Sequence, residues 1–162
     1  MKNRKLLSAL ALLLLAIFSI SCSSDNNDNN DREPDLTPSQ TLASTPWLTT
    51  NSKNAAGANV DLKDPNVVNF VGYAYFKADG TFTMYNLDDS PKMHGDWSVT
   101  ADGKTRTIVA KNDKGETLFT RVVDITVLTR AEFTYRVYPN ANDKSVYYDI
   151  IHTPTTHKEP GK

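Results

Sequence analysis

The sequence predicts an all-β domain: an eight-stranded antiparallel up-and-down barrel behind an export signal and a disordered tether. Three observations carry this. Short runs rich in β-branched and aromatic residues recur from Thr45 onward, separated by turn residues such as Asp79-Gly80 and Asp102-Gly103. No helical period is sustained long enough for a parallel crossover, so the strands must pair antiparallel. The chain has one cysteine, Cys22. Without an internal disulfide framework or a cysteine-based zinc site, an ordinary hydrophobic core must hold the fold. Eight antiparallel strands in chain order close into a barrel, which removes exposed edges; a two-sheet β-sandwich is the alternative.

In chain order, Lys2, Arg4 and Lys5 come first, and residues 6–20, LLSALALLLLAIFSI, are almost wholly apolar. That is the charged and then apolar pattern of a secretory signal. A membrane-spanning helix needs about 20 apolar residues, and Ser19, Ser21 and Asp25 arrive too early for one. Ser19-Ile20-Ser21-Cys22 resembles the lipobox of bacterial lipoproteins, with Ser19 where leucine is usual. The resemblance implies cleavage between Ser21 and Cys22 and a diacylglycerol on the Cys22 sulfur. Two or more acyl chains, at ~0.8 kcal/mol per buried CH₂, hold a protein firmly to a membrane. The flanking Ser, Asp and Asn cannot bury a thiol, and His94, His152 and His157 all lie beyond a long polar stretch. Neither a core thiol nor a catalytic nucleophile fits as well.

Residues 23–40 contain one large apolar side chain, Leu36, too little to offset the entropy of ordering them. Extended, they span up to ~60 Å. The acidic run at Asp25, Asp28 and Asp31 resembles export signals of surface-displayed Gram-negative lipoproteins; a solvated spacer is the alternative reading. The expected division is a signal peptide at 1–21, a lipidated acidic tether at 22–41, a barrel at 42–153 and a flexible tail at 154–162. The expected address is the cell envelope, lipid-anchored in the outer membrane.

Strands are expected at 46–52, 67–78, 81–87, 93–99, 104–111, 117–128, 133–138 and 145–152. Alternation sets their inward faces: Phe82 with Met84, Trp97 with Val99, Phe133 with Tyr135 and Val137, and Val146 with Tyr148 and Ile150. On the longest strand Phe119, Val123, Ile125 and Val127 form the apolar row.

A tryptophan on the first strand of such a meander, Trp47, resembles the lipocalin-like domains of bacterial lipoproteins. STPW (44–47), NFVGYAYF (69–76), DGKTRTIVAK (102–111), VVDITVL (122–128) and EFTYRV (132–137) resemble one uncharacterised family of these domains, which has no assigned activity. The resemblance implies that an arginine packs over the tryptophan at the closed end. Arg121, on the face of Phe119 and Val123, is expected to do so, gaining ~0.5–2 kcal/mol of cation–π attraction. A bulge turning Arg121 to solvent, or an anionic ligand's head group, are the alternatives. Trp47, Arg121, Arg136 and Tyr135 are the candidate ligand contacts.

Positive and negative residues nearly cancel, 18 against 19, so no basic field draws nucleic acid. No histidine pair has metal-ligand spacing, no serine elbow or phosphate loop occurs, and the histidines read as solvated. No cofactor and no catalytic group is expected. The expected partners are the membrane, through the Cys22 lipid, and either a small hydrophobic or amphipathic ligand or an envelope protein, with the domain monomeric. The interior separates the last two: a lumen of roughly 300 Å³ or more suits a ligand, and one of a few waters does not.

Overall fold

The structure, a computed structural model, describes residues 35–161. The expectations for the signal peptide, Cys22 and most of the tether lie outside the described residues. Eight strands, β1 (Trp47–Asn54), β2 (Tyr73–Phe76), β3 (Thr81–Tyr85), β4 (Pro91–Val99), β5 (Thr105–Lys111), β6 (Thr117–Leu128), β7 (Phe133–Val137) and β8 (Tyr148–Pro154), pair antiparallel in chain order. β8 returns to β1 and closes the barrel, which rules out the sandwich.

The turns form for the local reasons their residues suggest. At Asp79-Gly80 the Gly80 N–H donates to the Lys77 carbonyl, and the Asp79 carboxylate accepts from the Thr81 N–H at 2.9 Å. Gly80 sits at φ 85°, which a side chain would resist. Asp102-Gly103 and the Asn112–Gly115 turn repeat this arrangement. Inward rows from all the strands meet in one core, with Trp47, Phe82, Ile108, Phe133 and Ile150 fully buried.

Four expectations need correction. Residues 67–72 are not strand: Val68–Phe70 form a 3-10 turn, placing Val67 and Val71 in the core at a helical rather than an alternating spacing. The last strand starts at Tyr148, because Asp143 caps Ser145 in a turn and leaves Val146 47% exposed. The tether reading stops short of residue 41, since Pro38–Ala43 form a helix, α1. Its Thr37 and Gln40 make a reciprocal capping box, Pro38 opens the first turn, and Leu42 is buried.

The tail beyond 154 is fastened to the barrel wall. His157 stacks on Tyr73 with centroids 3.8 Å apart and lies 2.6 Å from the Tyr75 hydroxyl. Glu159 accepts from Thr83 and pairs with Lys77 at 3.1 Å. The Tyr75 hydroxyl is pushed up to about 12, by burial and then by the Asp89 and Glu159 carboxylates.

Candidate functional site

Trp47 is fully buried at one end of the barrel, but among the described residues no arginine packs over its ring. Its Nε1–H donates to the Leu42 carbonyl at 2.9 Å, and its ring meets Phe133 edge-on at 5.9 Å. The helix α1, unforeseen in the sequence, is what closes that end.

Arg121 lies elsewhere, its guanidinium 5.0 Å from the Phe70 ring and 5.1 Å from the Phe119 ring. The arginine that enters the core is Arg106 on β5, only 1% exposed. Its guanidinium packs against Tyr135 at 4.4 Å, Phe133 at 5.3 Å and Phe76 at 5.5 Å. Burial lowers the Arg106 pKa and raises that of Tyr135, each partly restored by the other. The sequence does signal Arg106: in 105–111 it alternates in register with Ile108 and Ala110, both fully buried. Reading the charge before the period hides it.

His152 is not solvated. It follows Tyr148 and Ile150 on the inward face of β8, is 3% exposed and stacks on Tyr135 at 5.2 Å. Its Nδ1–H donates to the Phe133 carbonyl at 3.1 Å. Burial, and then the neighbouring Arg106 charge, push its pKa down to about 3, so the imidazole is neutral at ordinary pH.

Arg106, Tyr135 and His152 share a cavity with Arg121, Lys92 and Thr49. Its volume is about 20 Å³, and a water needs roughly 10–15 Å³, so it has room for one or two waters. This cavity therefore has no room for a small hydrophobic ligand. Lys92 donates to the Val71 carbonyl at 2.6 Å; burial and then Arg121 hold its pKa below the usual lysine range.

Of the four candidate contacts, only Tyr135 and Arg121 border this cavity. Arg136 lies on the neighbouring face, forked onto Asp149 through Nε at 2.8 Å and Nη2 at 2.9 Å, with its guanidinium over the Tyr147 ring.

Outside the lumen, β6 outruns its partner. It pairs with β7 only from Asp124 to Leu128, and residues 117–122 have no strand on that side among the described residues. Phe119, expected in the apolar row, is 37% exposed on this overhang, and Leu118 and Val122 are 63% and 61% exposed. A groove of about 400 Å³ runs beside it, lined by Phe70, Arg121, Val122, Val137, Tyr138 and Lys144 among others. A larger trough, about 600 Å³, lies beside α1. Its Asp102 is spent on the turn, bonding Thr100 and the Lys104 N–H. Among the described residues no group of three or more His, Cys, Asp or Glu is placed to hold a metal.

The model of a family described as a domain of unknown function (DUF4822) matches residues 39–161. That span begins one residue into α1 and takes in the strapped C-terminal segment. No curated protein matches the chain. Among solved structures, a lipocalin-like protein from Bacteroides uniformis is similar, with 16% identity and a TM-score of 0.47, over 71% of this chain and 99% of that one.

Proposed function

We propose that this chain, which belongs to the DUF4822 family, is a lipid-anchored envelope protein whose barrel is an interaction module. The partner is an extended segment of another envelope protein, added along the free edge of β6. The observation that carries this reading is the overhang at 117–122, with an unpaired backbone edge and exposed Leu118 and Val122. A free edge offers hydrogen bonds to an incoming strand, and flanking apolar side chains give selectivity. An interior cavity of only about 20 Å³ favours recognition on the outside. Anchoring rests on the basic start, the apolar stretch 6–20 and the Ser19–Cys22 motif.

The test is site-specific photocrosslinking in the native host. A benzophenone amino acid at Leu118 or Val122 should give discrete protein adducts, and one at exposed Lys53 on β1 should give none. Equal labelling from Lys53, or no adducts from β6, refutes the reading. For the anchor, Cys22→Ala should abolish palmitate labelling and release the chain from membranes; a variant that keeps both sinks that part.

A second reading draws on the 400 Å³ groove, where Phe70, Val137 and Tyr138 adjoin the cations Arg121 and Lys144. It would accept a small amphipathic molecule with an anionic end. Saturable calorimetric binding of such a molecule, lost in Arg121→Gln, would favour it over the strand partner.

A further inference from the structure

We infer that the interior cavity bounded by Arg106, Arg121 and Lys92 is a binding site for a compact monoanion, carboxylate-sized or smaller. Three cationic side chains line one space, and no aspartate or glutamate lines it with them. Arg106 is 1% exposed, and its Nε has no hydrogen-bond partner. The three rings around its guanidinium do not remove that need. A ring attracts a cation through its π face, whereas an N–H requires a lone pair along its own direction. Leaving a buried guanidinium N–H unmet is costly, and a charge without a counter-charge more so.

The other groups facing this space cannot supply the negative charge. His152 is neutral, and burial holds the Tyr135 hydroxyl in its protonated form. Lys92 gives one proton to the Val71 carbonyl and keeps two. Thr49 from β1 donates to the Phe70 carbonyl, so its proton is also committed. The volume sets the size of the guest: about 20 Å³ admits a halide or a formate and excludes a phosphate ester. Phe70 and Arg121 border both the cavity and the outer groove, whereas Arg106 and Lys92 border the cavity and not the groove, so the Arg106 signal and the Lys92 variant report on this anion apart from anything bound outside. The site shares Arg121 with the β6 overhang, but it rests on Arg106 and Lys92, which the strand-partner reading does not use, so either can fail alone.

The experiment uses the full-length chain, ¹⁵N-labelled, in neutral detergent at constant ionic strength, with gluconate as the bulky background anion. Formate or chloride should shift the Arg106 Nε–H signal saturably at one per chain and raise the melting temperature by mass action. Arg121→Gln and Lys92→Met, both at half-buried positions, should each weaken formate binding about tenfold or more, the usual loss for a charged hydrogen bond. Butyrate should bind far more weakly than formate. The inference is overturned if no anion moves the Arg106 signal, because water then completes it. It is equally overturned if both variants keep wild-type affinity, or if butyrate binds as tightly as formate.

Discussion

Lowering the pH from 7.5 to 5 should destabilise the barrel through His152. Arg106 from β5, Tyr135 from β7 and Thr49 from β1 face its imidazole, and none is a carboxylate that would welcome a proton. Burial first and Arg106 second push the pKa from 6.5 down to about 3. The unfolded chain therefore takes up a proton as pH falls through 6.5, while the native state refuses it until near 3. The contribution is fully present above 6.5 and shrinks steadily between 6.5 and 3. At ~1.4 kcal/mol per unit, about 2 kcal/mol is gone by pH 5. Urea titrations followed by tryptophan fluorescence at the two pH values measure it. The reference is His152→Gln, whose amide can still donate to the Phe133 carbonyl but does not titrate. That variant loses stability at pH 7.5 through poorer packing, yet its drop on going to pH 5 should be smaller than the wild type's by about 2 kcal/mol. Identical drops in the two proteins would refute the assignment of His152 as a buried neutral base.

Two further perturbations test the frame around the site. Gly95 lies at φ 153°, and a Cβ there would run into the Val109 carbonyl on β5. Gly95→Ala should cost on the order of 3 kcal/mol or more, read as a collapsed melting temperature or insoluble protein; a wild-type melt contradicts the close approach of β4 and β5. The Arg136–Asp149 fork is half-buried and bidentate. A double-mutant cycle with Arg136→Met and Asp149→Asn should give a coupling of about 1 kcal/mol, above the usual surface pair; a value near zero would mean that the fork is as weak as an exposed ion pair.

The eight strands were legible because their signals are local. Asp79-Gly80 and Asp102-Gly103 demand turns, and a side-chain period of two shows wherever one face is buried. The β6 overhang was unforeseen, with Phe119 expected in the inward row, although a run at 117–128 cannot be matched along its length by one at 133–138. What else escaped is of two kinds. Thr37 and Gln40 spell a capping box, and the polar composition around them outweighed it. Arg106 and His152 both obey the inward period of their strands, and were discounted because a charged or titratable residue reads as surface. Their burial is linked through Tyr135, whose ring packs against the guanidinium and stacks on the imidazole. Only closure of the barrel brings β5, β7 and β8 around one point, so no local window contains that dependence. A polar residue that keeps the inward period of a strand should therefore be read as inside and short of a partner. On that rule Arg106 points to the cavity before any volume is measured.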